Sequence, residues 1–77
     1  MKVNLQLYSI LREKLPAEDK GKTVLDLDDG STIDDIIQQL GITRRVVIGV
    51  NGVQVTEKEH VLSDGDEIKI FSSISGG

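Results

Sequence analysis

A chain of 77 residues with no cysteine and one histidine has few places to do chemistry. It can form no disulfide, iron–sulfur cluster or thiolate zinc site and offers no thiol nucleophile, so any sulfur chemistry must use sulfur supplied from outside. His60 has no neighbour at metal-ligand spacing, and a surface or turn role outweighs catalysis there. Gly21-Lys22-Thr23 looks like the end of a phosphate-binding loop. That motif's first glycine would fall at Pro16, however, and a strand pattern follows where phosphate cradling needs a helix N-terminus. Asp26, Asp28 and Asp29 crowd a strand edge running into a turn, where acids are far more often a solubilising face than a divalent-metal site. No nucleophile stands beside a base, and serines near the terminus lack the orienting group that activation demands. The sequence therefore points to no catalytic residue and no metal ligand. Arg44-Arg45 is too short for a nucleic-acid patch, although it can help set a partner's orientation.

By elimination the distinctive reactive group is the carboxylate of Gly77. Residues 72–77, Ser-Ser-Ile-Ser-Gly-Gly, have no packing periodicity, which divides the chain into a folded domain over 1–71 and a tail over 72–77. Gly76 and Gly77 lack Cβ atoms and allow the backbone close approaches that other residues forbid. With Ser75 and Ile74 they are expected to thread a narrow channel in another protein. Six extended residues reach about 20 Å. The plain alternative is a frayed end, since termini are commonly disordered.

The remainder of the chain must position that end. At this length it is one small domain, burying roughly 60% of its unfolded surface, which leaves no room for a deep private active site. The longest apolar run, Val46-Val47-Ile48, cannot cross a bilayer. Met1 leads almost directly into a strand pattern without a basic and apolar leader, so a cytoplasmic protein with no membrane partner is expected. A net charge of −4 argues against nucleic acid and, taken as a whole, for an electropositive protein partner.

Alternation over Lys2–Tyr8, with Val3, Leu5 and Leu7 on one face, predicts a first strand. Leu11 and Leu15 allow one helical turn before Pro16, Ala17–Gly21 reads as a loop, and alternation over Lys22–Asp28 predicts a second strand. The period then changes: Ile33, Ile36, Ile37 and Leu40 form a helical stripe, with Ser31 or Thr32 as N-cap and Gly41 as the left-handed stop. Packing of this stripe on Val3, Leu5, Leu25, Ile48 and Ile68 is expected. Val46, Ile48 and Val50 begin a third strand, Asn51-Gly52 turns it into a short fourth over Val53–Val55, and Glu67–Phe71 is the last. One helix stripe covers one face of one sheet. The expected class is α+β, a roll with one main helix on the concave side.

Strict alternation in the last strand sets Ile68 and Ile70 inward and Phe71 outward with Glu67 and Lys69. An outward Phe71 could join Tyr8, Val24 and Val47 in a partner-docking patch, because exposed apolar area rimmed by charge is a common contact surface. A strand that twists or bulges at its end would tuck the ring into the core instead.

Asp64-Gly65-Asp66-Glu67-Ile68, followed by Ile70-Phe71 and ending in Gly76-Gly77, resembles the C-terminal signature of the MoaD/ThiS family of ubiquitin-like sulfur carriers. The resemblance extends over nearly the whole chain. Thr32–Gly41 is similar to the family helix, Val50-Asn51-Gly52 to the turn after its third main strand, and Leu7–Glu13 to a segment more typical of MoaD than of ThiS. Ser72 and Ser73 depart from the two prolines common in MoaD-type tails, which bears on the subfamily and not on the carrier role. The resemblance implies a β-grasp fold with a mixed four- to five-stranded sheet, its first and last strands lying side by side in parallel. It implies no bound cofactor, but adenylation of Gly77 by a separate activating enzyme that uses ATP and magnesium. A sulfur donor protein would supply the sulfur of a C-terminal thiocarboxylate, and a sulfur-accepting synthase subunit would use it for molybdopterin or tungstopterin, or for the thiamine thiazole. On the same tail chemistry, the chain could instead be a ubiquitin-like modifier forming isopeptides through Gly77. It could also be a β-grasp interaction module whose Gly-Gly is incidental. A free Gly-Gly end needs no processing protease.

A bulky side chain where the terminus must pass should block activation without touching the core. Gly76→Val is expected to lower the rate of adenylation while leaving the thermal midpoint nearly unchanged; adenylation as fast as wild type would disprove the threading argument.

Overall fold

The computed structural model describes residues 1–73. Its elements are β1 (Lys2–Leu7), a 3-10 turn (Ser9–Lys14), a second (Ala17–Asp19), β2 (Lys22–Asp26), α1 (Ile33–Leu40), β3 (Val46–Val50), β4 (Val53–Val55) and β5 (Glu67–Ser72). The strands form one sheet in the order β2-β1-β5-β3-β4. β1 and β5 pair in parallel, and every other neighbour is antiparallel. With α1 on one face this is the expected α+β β-grasp roll, at five strands. The first and last strands are neighbours, and β5 holds the middle of the sheet.

Local signals account for most boundaries. Thr32 is the N-cap: its Oγ1 accepts from the Asp35 amide at 3.3 Å while its own amide donates to Asp35 Oδ2 at 2.8 Å. This reciprocal box satisfies two donors that a helix start leaves without partners. Gly41 ends the helix at φ 69°, with its amide donating to the Gln38 carbonyl and that of Ile42 to Ile37. Buried Ile42 follows the stop as its apolar contact. Lys14 reaches the same end, its Nζ donating to the Gly41 carbonyl at 3.2 Å.

Three boundaries differ from the alternation. β1 ends at Leu7, one residue short of Tyr8. β2 ends at Asp26, although Leu27 stays buried and its amide still donates to the Met1 carbonyl at 2.8 Å. β5 runs one residue further than Phe71, to Ser72, because β3 still has Val46 to offer as its partner.

Ile33, Ile36 and Ile37 of α1 join Val3, Leu5, Leu7, Ile48, Val50, Ile68 and Ile70 in one cluster. Leu25 and Leu40 are only half-buried; Leu25 lies on β2, an edge strand with one neighbour to cover it. Leu11, Leu27, Ile42 and Leu62 complete the cluster from turns and loops, the last two outside any periodic segment. Among the described residues no polar or charged residue is buried. The core is therefore maintained by apolar burial and the backbone ladder alone. Ile36 is fully buried, so Ile36→Ala should cost about 2–5 kcal/mol from lost transfer energy and the cavity left behind. Chemical denaturation checks this through a lowered midpoint at unchanged slope.

Candidate functional site

The chain reaches its terminus from the central strand of the sheet. β5 is bonded on both sides, to β1 from Asn4↔Glu67 through Leu7↔Ile70 and to β3 from Val50↔Ile68 through Val46↔Ser72. The Ser73 amide continues the ladder by donating to the Arg45 carbonyl at 3.1 Å. Ile74, Ser75, Gly76 and Gly77 lie outside the described residues. Counted from Ser73, four residues span at most about 13 Å when extended, against the 20 Å that a tail starting at Ser72 would reach.

The register settles where Phe71 points. Ile70 is fully buried and pairs with Leu7 and Ile48, so the next residue, Phe71, stands on the outer face opposite Val47. Phe71 and Val47 are each 39% exposed, which places the ring outside the core. Tyr8 follows β1, and its amide donates to the Ile70 carbonyl at 3.2 Å. That bond brings its ring over Phe71, with centroids 4.3 Å apart and planes 14° from parallel. Tyr8, Phe71 and Val47 thus form one apolar row across β1, β5 and β3, next to the chain's exit.

Val24 does not belong to that row. It pairs with Asn4, which pairs with Glu67, four residues before Phe71 and about 13 Å away along the strand. The intervening row carries Lys22, Gln6, Lys69 and Gly49. Period alone puts Val24 on the right face but says nothing of its height along the sheet.

Gly49 is the one site feature that the sequence reading passed over. It occupies the outer face of β3 with no side chain, and a Cβ there would meet nothing nearer than the Val53 carbonyl at 3.9 Å. The result is a hollow of about 280 Å³ beside Phe71, lined also by Val47, Gln54 and Lys69. A glycine in a strand interior is the signal that would have found it.

The rejected motifs acquire structural roles. Gly21 is buried at φ 80°, and a Cβ there would sit 2.6 Å from the Leu7 carbonyl oxygen and 2.9 Å from Arg12 Cγ. A strand follows it, as expected, and its own carbonyl accepts from the Leu7 amide at 2.7 Å. His60 is exposed, while its backbone carbonyl receives the Ile33 amide at the start of α1. No helix among the described residues is long and apolar enough to cross a membrane.

With this geometry in place, the chain can be set beside known proteins. The ThiS family model matches residues 5–77. No curated protein matches the chain in sequence. Among solved structures, SAMP1 from Haloferax volcanii superposes with a TM-score of 0.74 at 18% identity, covering all of both chains. A candidate molybdopterin converting factor subunit 1 from Pyrococcus furiosus gives 0.77 at 20% identity, over 96% of this chain and 99% of that one. A chain in the complex of subunits 1 and 2 of the molybdopterin-converting factor from Helicobacter pylori 26695 gives 0.62 at 20% identity, over all of both chains. At these identities the superpositions establish the fold.

Phe71 contributes to stability through its stack on Tyr8 and not through core burial. Phe71→Ala should lower the unfolding free energy by about 0.5–1.5 kcal/mol, the value of an aromatic pair, where a core phenylalanine would cost about 3–5 kcal/mol. Urea unfolding of the variant separates the two; a loss in the upper range would return the ring to the core.

Proposed function

The chain belongs to the ThiS family, and from that membership we propose that it is a sulfur carrier whose C-terminal Gly77 is activated by a partner enzyme and converted to a thiocarboxylate. The observation that carries the reading is that the family match runs through Gly77 itself. The fold supports it by leading into that end from a doubly bonded central strand.

The chemistry follows from the group available. A carboxylate is a poor acyl donor at neutral pH because its leaving group would be oxide. The activating enzyme, using ATP and magnesium, joins the Gly77 carboxylate to AMP and releases pyrophosphate. The outer sulfur of a donor protein's persulfide then attacks the acyl carbon and expels AMP, and a thiol reductant cleaves the resulting acyl disulfide, leaving a thiocarboxylate on Gly77 and the donor's sulfur in a disulfide with the reductant. That soft nucleophile is delivered to a sulfur-accepting synthase subunit. Loss of its sulfur to the product and hydrolysis at the acyl carbon restore the carboxylate. Nothing in this cycle requires a catalytic side chain of the carrier, which acts as a cosubstrate or the small subunit of a synthase. Activation with ATP is consistent with a cytoplasmic carrier.

The receiving pathway is read as molybdopterin or tungstopterin synthesis. The similarity of Leu7–Glu13 to MoaD supports this, as do the names borne by two of the structural neighbours. Thiamine thiazole synthesis is the alternative within the family. The serines at 72 and 73 have a physical consequence whichever holds. The Ser73 amide bonds Arg45, and a proline there would have no N–H to donate. A second reading, protein modification through an isopeptide at Gly77, draws on the likeness to a protein described as small archaeal modifier protein 1. Conjugates of higher mass that vanish on deletion of Gly77 would favour it.

The row of Tyr8, Phe71 and Val47 supplies a docking surface beside the exit, and a central aromatic commonly carries much of such a contact's energy. Phe71→Ala is accordingly expected to weaken binding to the activating enzyme by about 2 kcal/mol. Intact-mass analysis of protein isolated from its native cell is the direct test of the carrier reading. A fraction bearing one oxygen-for-sulfur exchange, abolished by deletion of Gly77, is expected. A chain that is never exchanged, and that forms no adenylate with the cognate enzyme and ATP, would sink the proposal.

A further inference from the structure

The sheet register sorts the charges of the chain into two ends. β1 and β5 run in parallel, so Met1, Lys2 and Glu67 share one end, and Leu7, Ser72 and the chain's exit share the other. At the exit end stand six basic residues: Arg12, Lys14, Lys20, Lys22, Arg44 and Arg45. Arg12 and Lys14 lie on the turn after β1, Lys20 precedes the Gly21 that bonds Leu7, and Lys22 opens β2. Arg44 and Arg45 lead into β3, where the Arg45 carbonyl holds Ser73. All six side chains are on exposed residues. Against them, among the described residues, are Glu13, Glu18 and Asp19.

At the opposite end β2 finishes in Asp26 and runs on through Asp28 and Asp29, while Asp64, Asp66 and Glu67 lead into β5. The Lys2 amide donates to Asp64 Oδ1 at 2.7 Å, which fixes that loop at this end. The start of α1 adds Asp34 and Asp35. Its first turn is tied to the loop carrying Glu57 and Glu59, with the Asp34 amide donating to the Lys58 carbonyl at 2.9 Å. Among the described residues, Lys2 and Lys58 are the basic side chains there. Lys2 and Leu7 stand about 17 Å apart along β1, twice the Debye length of about 8 Å at physiological ionic strength. A partner at one end therefore meets that end's charge and not the total of −4.

We infer that the exit end is a positively charged steering surface, and that the entrance to the activating enzyme's tail channel is lined with acidic residues. The acidic far end turns the carrier away from a wrong-way approach. This reverses the electropositive partner that the net charge alone suggests. Opposed charge raises the rate of productive encounter more than it raises affinity. The partner's identity rests on the carrier reading; the two poles do not.

Two measurements keep those apart. Poly-L-glutamate, titrated into 15N-labelled protein at low salt, should shift the amides of Gly21, Lys22, Arg45, Val46 and Ser73, and leave those of Asp28 and Asp66 in place. R44E/R45E should abolish the response, with K20E/K22E as a second variant should the first fail to fold. In ATP–pyrophosphate exchange with the cognate activating enzyme, R44E/R45E should lower kcat/KM about 10-fold at low salt, with the difference closing at high salt. E57K/E59K at the far end should stay within about twofold of wild type. Equal kcat/KM for wild type and R44E/R45E at low salt overturns the steering surface, as do amide shifts that are absent or spread over both ends. If wild type is not activated at all, the carrier reading fails and the polyglutamate titration still decides for or against the positive pole.

Discussion

Parallel pairing of the first strand with the last is the constraint from which the rest of the structure follows. A parallel pair cannot be joined by a tight turn and needs a long crossover. Here everything between Leu7 and Glu67 serves as that connection: β2 returns along the outer side of β1, α1 crosses one face, and the β3-β4 hairpin closes the far side of β5. The chain's final strand ends in the centre of the sheet, hydrogen-bonded on both edges. Elements so held open only with free energies near that of global unfolding. A partner that draws on residues beyond Ser73 pulls against a strand paired on both sides.

The same strand separates stability from recognition by its two-residue period. Ile68 and Ile70 are buried at 1% and 0% exposure and belong to the core, whereas Lys69 and Phe71 face outward. In a domain this small, with a thin stability margin, an arrangement that lets the outer face vary without emptying the core has a clear advantage. Tyr8 lies just past β1 and Val47 directly across β3, so the apolar row draws on three strands without taking a residue from the core cluster. Gly49 extends the row into a hollow by omitting a side chain.

Features with local causes were legible in the residues. The strand alternations, the stripe Ile33-Ile36-Ile37-Leu40, the Thr32 cap, the Gly41 stop and the Asn51-Gly52 turn each depend on residues a few positions apart; the cap, the stop and the turn are found where their patterns put them, the strands to within one or two residues at their ends and the stripe with Leu40 only half-buried. So is the outward orientation of Phe71, because a regular strand cannot change face without a bulge. The pattern was also enough to set aside the phosphate-loop resemblance of Gly21-Lys22-Thr23. It could not say why Gly21 is glycine, since the atoms that exclude a Cβ belong to Leu7 and Arg12.

What the sequence determined by itself is the set of elements, the identity of their buried faces and the family signature closing in Gly76-Gly77. Each of these is encoded in short-range spacing or in a contiguous motif. The tertiary structure alone decided how high each outward residue stands on the sheet. It put Val24 four residues from Phe71 while laying Tyr8 on top of it, and it tied Ser73 to a carbonyl 28 positions earlier in the chain. It also decided the charge that each end presents, because net charge adds every residue regardless of place. Register is set by pairing between strands distant in sequence, and the period of one strand carries no information about its alignment with another.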